Sequence, residues 1–355
     1  MSATDPRLAA FLAQAGVAGA ALAPLAGDAS MRRYLRVHPE HGSGLVLMDA
    51  PRPLNERMDA FVAVTDWLRA AGLSAPQVVA ADLDEGLLLL EDLGDALYAR
   101  VLARDPAAEP ALYGAAVDLL ARLPRTGAAD APLGIGPYDL AVLGREARLA
   151  VDWWADGAGR ALPPEAVAEF DALVAEAVAP AAPEAARTVT VLRDYHAENL
   201  LWLPERRGAA RVGLLDYQDA LVGHPAYDLV SLLEDARRDV APDLAEAMIA
   251  RYAAEAGLGA TDATAFRDAY DALGAQRNLK IVGIFARLAL RDAKPRYLGL
   301  IPRVWGHLRR DLASARLAPL AAFVERWIPE PDAAALARVA VRARAAEAAS
   351  AEAGA

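Results

Sequence analysis

Cysteine is absent from the 355-residue chain, and only two of its 37 basic residues are lysines, Lys280 and Lys294. The first absence excludes disulfides and thiol chemistry, and it suits a reducing compartment. The second leaves the first 279 residues without any lysine. No apolar run approaches the roughly 20 residues of a membrane span. The segment Met1-Ser-Ala-Thr-Asp-Pro-Arg7 lacks the apolar core of a secretory signal, so a cytoplasmic location and no membrane partner are expected. A formal net charge of -11 argues against nucleic acid as a partner. Heavy use of Ala and Arg reads as the mark of a GC-rich genome and carries no functional weight.

What is present describes a folded protein. Hydrophobic content of 55% with 24% charge is not that of a disordered chain, and the length accommodates two lobes with separate cores. Asp5-Pro6 before Leu8, Phe11 and Leu12 predicts a capped short helix. Strands are predicted around 20–26, 32–38 and 44–49, a helix over 55–71 with Gly72 as its stop, and a hairpin of 77–82 with 86–91. Residues 96–180 read as mostly helical with a loop near 124–137. Short strands follow over 189–216, and helices over 226–348. The Ala-rich end, 331–355, reads as one amphipathic helix and a tail.

The most informative stretch is Val191-Leu-Arg-Asp-Tyr-His-Ala-Glu-Asn-Leu-Leu-Trp202, followed by Gly213-Leu-Leu-Asp-Tyr-Gln-Asp219. Asp194 and Asn199 have the Asp-x-x-x-x-Asn spacing of a phosphotransferase catalytic loop. In such a loop the Asp accepts the proton of a hydroxyl nucleophile and the Asn holds a magnesium ion. Asp216 ends an apolar strand-like run, where strands disfavour Asp and a metal ligand would be rigidly presented. Asp and Asn are also ordinary turn residues, so it is the conjunction that argues for chemistry.

Taken with four further blocks, these residues resemble the aminoglycoside phosphotransferase and choline kinase superfamily over about residues 20 to 315. The blocks are Gly27-Asp-Ala-Ser-Met-Arg-Arg-Tyr34, Val46-Leu-Met-Asp-Ala-Pro51, Leu87-Leu-Leu-Leu-Glu-Asp-Leu-Gly94 and Gln276-Arg-Asn-Leu-Lys-Ile-Val-Gly-Ile-Phe-Ala-Arg287. The usual loop of that superfamily reads H-G-D-x-H-x-x-N. Here Asp194, His196 and Asn199 match, while Leu192 and Arg193 replace the first His and the Gly. Within the superfamily the likeness is to the N-acetylmuramate/N-acetylglucosamine anomeric kinases of bacterial cell-wall recycling. The resemblance implies an α+β, two-lobed protein-kinase-like fold, with a small antiparallel-sheet N-lobe over 1–91 and a hinge at 92–95. A mainly helical C-lobe over 96–330 and an Ala-rich helix and tail over 331–355 complete it. ATP, Mg2+, a small amino-sugar acceptor and a monomer are the implied cofactors, substrate and state.

Candidate site residues follow from this alignment of motifs. Gly27, Asp28, Ala29 and Ser30 sit where a phosphate-covering turn belongs, although the same residues make an ordinary β-turn. Glu91, Asp92 and Leu93 would present the backbone edge that reads adenine. The third strand, Leu45 to Asp49, lacks the lysine that kinases place there. Arg33 is the working replacement; Arg32 alternates with it in facing and remains its rival, as does Arg36. His196 and Asp228 are read as structural supports, Asp228 bracing the catalytic loop or capping a helix dipole. Asp219 is placed towards the substrate, a second metal or solvent. On the helix expected near 265–291, Arg277, Lys280 and Arg287 fall along one edge beside Ile281, Ile284, Phe285 and Leu288. That edge is either a solvated border or a positive wall suited to an acceptor carboxylate. A cationic antibiotic would call instead for an acidic wall, so an aminoglycoside kinase is the second reading. A nucleotide-binding pseudokinase is the third, motivated by the missing lysine and opposed by Asp194, Asn199 and Asp216.

Overall fold

The computed structural model describes residues 5–25, 32–50, 57–127, 130–132, 134–182 and 187–353. Its first elements in chain order are α1 (Pro6–Gln14), β1 (Ala21–Pro24), β2 (Arg33–His38), β3 (Leu45–Asp49), α2 (Met58–Ala70), β4 (Val78–Asp82) and β5 (Leu87–Glu91). Helices α3 (Tyr98–Arg104), α4 (Glu109–Arg122), α5 (Leu140–Ala147) and α6 (Pro164–Val178) follow. Four three-residue strands come next: β6 (Val189–Val191), β7 (Leu200–Trp202), β8 (Val212–Leu214) and β9 (Leu221–Gly223). The chain closes with α7 (Ala226–Leu233), α8 (Pro242–Glu255), α9 (Ala260–Leu290), α10 (Ile301–Asp311), α11 (Ala318–Trp327) and α12 (Ala333–Ala353).

The chain divides into two compact units, one of Met1–Pro124, Ala128–Gly136 and Leu192–Leu221, the other of Arg125–Gly127, Pro137–Val191 and Val222–Ala355. The first unit is built on a five-stranded antiparallel sheet in the order β1-β2-β3-β5-β4. Its element order, one helix, three strands, a helix and two strands, is the expected one. Asp5 accepts a hydrogen bond from the Arg7 backbone N–H at 3.0 Å and Pro6 opens α1, so a leading donor of the helix is satisfied. The helix then buries Leu8, Phe11 and Leu12 against Val37, Leu47, Leu87 and Leu89. Leu87 to Leu90 are all buried, because this strand is covered on both faces. The expected start of α2 near residue 55 falls outside the described residues, which resume at Arg57.

The second unit is mainly helical and its core gathers around α9. The helix was expected to bury Ile281, Ile284, Phe285 and Leu288 on one side. Instead Ala272, Ala275, Leu279, Val282, Ala286 and Ala289 join Phe285 in the core, while Ile281, Ile284 and Leu288 are only partly buried. The reason is that α9 is covered from several directions, so a one-sided helical-wheel reading does not apply. At Gly283 a Cβ would lie 2.3 Å from the carbonyl oxygen of Leu149, a contact that only glycine permits. Leu149 leads into a π-helical turn, Ala150–Ala155, that the sequence pattern does not announce. The Ala-rich terminal helix is docked through Ala335, Val339 and Ala343, and Arg342 pairs with Asp156 at 2.8 Å.

Candidate active site

In the first unit, the short antiparallel pair β7–β8 brings the motif residues together. Leu200 lies opposite Leu214, so Asn199 precedes one strand as Leu215 follows the other. The Leu215 N–H donates to the Asn199 carbonyl at 3.0 Å, and Asp216 is the next residue. Asn199 also turns back on its own loop, its Nδ2 donating to the Asp194 carbonyl at 3.0 Å. Asp194 itself is exposed, on a tight turn closed by the His196 N–H to the Asp194 carbonyl at 3.1 Å. Gly213 makes the close pairing possible, since a Cβ there would lie 3.0 Å from Leu201 Cβ and 3.3 Å from a Leu93 methyl.

Two of these residues hold left-handed backbone conformations that L side chains rarely adopt: Arg193 at φ 69° and Asp216 at φ 58°. Each is held by neighbours. Arg193 Nη1 donates to the Asp219 carbonyl at 3.1 Å, joining the Asp194 turn to the segment after β8. Tyr217 is buried, stacked on Phe61 at 5.1 Å, with its hydroxyl 2.7 Å from that of Thr65 on α2. Gln218 Nε2 donates to Asp216 Oδ1 at 2.9 Å. The Asp216 carboxyl is pushed above the ordinary Asp value, mainly by desolvation and further by the charges of Asp194 and Asp219. Gln218 and Arg32 oppose that shift. Three carboxylates thus concentrate negative charge that a cation would relieve. Among the described residues no three His, Cys, Asp or Glu side chains form a preformed metal cage. The side-chain oxygens of Asn199 and Asp216 are of the kind magnesium takes, one or two from protein with phosphates and water completing its shell.

A cavity opens beside these residues. Leu25, Val46, Leu90, Leu93 and Leu215 give it apolar walls, while Asn199 and Asp216 mark a polar end. Glu91, Asp92 and Leu93 line it too, as does Arg36. Their side chains are used locally: Glu91 pairs with Arg69 at 3.3 Å and with Arg206, and Asp92 with Arg36 Nε at 2.6 Å. Asp95 takes the other side of the same guanidinium at 2.9 Å. Arg33, by contrast, does not line the cavity; it pairs with the buried Asp49, its neighbour across the β2–β3 ladder. Gly27, Asp28, Ala29 and Ser30 lie outside the described residues. Asp219 is half exposed, with Arg57 Nε at 3.8 Å. His196 is buried. Tyr217 and Gln218 were missed by sequence reasoning, although both stand within two residues of Asp216.

The remaining candidates belong to the second unit. Asp228 is buried in the first turn of α7. Arg277 is buried on α9 and donates to Ser231 Oγ at 2.8 Å. Lys280 pairs with Glu146 at 2.9 Å and also reaches the Tyr227 hydroxyl at 3.2 Å. Arg277 and Lys280 therefore do not form a solvated edge: Lys280 is ion-paired, and Arg277 is buried against the neutral hydroxyl of Ser231. Arg287 is half-buried, and its pKa is held below the ordinary Arg value by desolvation and by Arg291.

With this geometry in hand, likeness to known proteins is informative. A family model described as "Phosphotransferase enzyme family" matches residues 21–265. A protein of Caulobacter vibrioides named N-acetylmuramate/N-acetylglucosamine kinase is 42% identical over 355 aligned positions, covering 90% of this chain and 96% of the relative. A protein of the same name from Pseudomonas aeruginosa is 40% identical, with 89% and 90% covered. Among solved structures, a choline kinase of Streptococcus pneumoniae superposes with a TM-score of 0.57 at 12% identity, over 87% of this chain and all (100%) of that one. An aminoglycoside phosphotransferase of Streptomyces rimosus superposes at 0.51 with 22% identity, over 77% and 99%. At such identities the two structures bear on the fold alone, which is the kinase-like α+β fold expected from the motifs. The family match covers well over half of the chain, and with it the loop of Asp194, Asn199 and Asp216: this protein belongs to the phosphotransferase enzyme family.

Proposed function

We propose that this phosphotransferase uses ATP and Mg2+ to phosphorylate the anomeric hydroxyl of N-acetylmuramate, N-acetylglucosamine or both, in peptidoglycan recycling in the cytoplasm. The observation that carries the chemistry is the junction of Asn199 and Asp216 across β7–β8, with Asp194 on the turn that Asn199 clamps. The acceptor class is supported by the shared name of the relatives in Caulobacter and Pseudomonas.

In this reading adenine occupies the apolar part of the cavity, against Val46, Leu90 and Leu215, with the backbone of residues 91–93 reading its edge. Asn199 and Asp216 are the residues that would hold magnesium, which when bound neutralises charge on the phosphates. Asp194 orients the sugar hydroxyl and takes its proton as the sugar oxygen bonds to the γ-phosphorus and the bond to the ADP oxygen breaks. The transition state of such transfers is loose, so Asp194 acts late and needs little base strength. Gly27 to Ser30 would cover the phosphates, and Asp219 would face the sugar. The functional division into an N-lobe of 1–91, hinge of 92–95, C-lobe of 96–330 and terminal helix belongs to the same reading, as does a monomeric state.

The test is ADP release from Mg-ATP with N-acetylmuramate, N-acetylglucosamine and kanamycin in separate reactions, beside an Asp194→Ala control. Release with either sugar, lost by at least 100-fold in the control (about 2.7 kcal/mol), is expected. Release with kanamycin alone would replace this reading by an antibiotic kinase.

A further inference from the structure

Kinases of this general design need a cation on the nucleotide phosphates, and no lysine occurs before Lys280. The first unit contains several arginines close to the cavity, and the structure distinguishes among them. Arg33 is paired with Asp49, Arg36 is shared by Asp92 and Asp95, and Arg69 and Arg206 both pair with Glu91.

Arg32 stands apart by its facing. Arg32 directly precedes β2 and is not itself a lining residue; carrying the strand alternation one residue back gives it the face of Tyr34 and Arg36, both of which line the cavity, opposed to Arg33. Its guanidinium hydrogen-bonds the Tyr34 side chain, which itself lines the cavity together with Asp216. We propose that Arg32, rather than Arg33, supplies the phosphate-binding charge that a lysine on β3 would otherwise provide. The proposal rests on the nucleotide half of the function given above and identifies the residue that completes it. In support, Arg32 is close enough to Asp216 to favour its ionised form. Arginine suits the position because its planar fork presents several donors at once and can bridge a phosphate oxygen while the Tyr34 contact holds it in place.

Calorimetric titration of Mg-ADP and of adenosine into wild type, Arg32→Gln, Arg32→Lys and Arg33→Gln tests this without requiring an acceptor. A charge-assisted contact of the usual strength predicts that Arg32→Gln weakens Mg-ADP by about 10- to 100-fold. Adenosine affinity should be unchanged, since adenosine lacks the phosphates, and Arg32→Lys should recover most of the loss. Unaltered Mg-ADP binding in Arg32→Gln, an equal loss for adenosine, or the loss appearing in Arg33→Gln instead would overturn the assignment. Wild type that binds Mg-ADP but phosphorylates no sugar would remove the acceptor reading while leaving Arg32 assigned. Wild type that binds no Mg-ADP would overturn both.

Discussion

Arg193 and Asp216 adopt left-handed backbone angles where glycine would be at ease. A left-handed conformation costs an ordinary residue roughly 1–2 kcal/mol, so something in the native structure must hold each one. For Arg193 it is the hydrogen bond to the Asp219 carbonyl. Arg193→Gly is therefore expected to unfold at the same or a higher temperature, with up to about 1 kcal/mol gained. Turnover is expected to fall about tenfold, because the link between the Asp194 turn and the segment after β8 is gone. Thermal melts and steady-state rates on one preparation check both halves; a variant both less stable and fully active would contradict this account. Asp216 carries a second prediction. The Asp216 side chain is solvent-accessible, yet crowding by protein atoms and the neighbouring carboxylates raise its pKa; if it holds magnesium as proposed, the carboxylate is the active form, and activity should fall with decreasing pH through a value above the ordinary Asp value of about 3.9. Gln218 stabilises the ionised form, so Gln218→Ala should move the acid limb of log kcat/KM to higher pH. An unmoved limb would assign it to another group.

At the scale of elements, the second unit hides a carboxyl pair. Asp311 on α10 is buried and shares Asn278 of α9 with Glu234, at 2.9 and 2.6 Å. Burial and the adjacent Glu234 push the Asp311 pKa well above its ordinary value. A raised folded-state pKa gives stability that is complete below the unfolded value and lost as pH rises through the folded one. Asp311→Asn mimics the protonated form, so it should flatten this slope and be the more stable chain at alkaline pH in urea titrations across pH. A wild-type stability that does not decline with pH would refute the assignment. The same helix shows what sequence could and could not convey. The strands of the first unit were legible because alternation and Asp84-Glu85-Gly86 turn chemistry are local signals, and Asp194, Asn199 and Asp216 because their spacing is chemical. The buried face of α9 was not, since a helix packed on several sides has no single apolar stripe. The choice between Arg32 and Arg33 was equally hidden, because it depends on Asp49 standing opposite Arg33 in the ladder.

At the scale of the whole molecule, the long helix α9 carries its basic residues in different settings. By sequence Arg277 and Lys280 could have been a solvated border or a positive wall; Lys280 is instead paired with Glu146 beside Tyr227, and Arg277 is buried and donates to Ser231. The central claim is that this site transfers phosphate to the anomeric oxygen of a free amino sugar. It is tested most directly by 31P NMR of the product formed from N-acetylglucosamine and Mg-ATP, run beside the methyl glycoside, whose anomeric oxygen is blocked. The account predicts a sugar 1-phosphate, its phosphorus coupled to the anomeric proton, and no product from the glycoside. Phosphorylation of the glycoside, or a 6-phosphate from the free sugar, would contradict it.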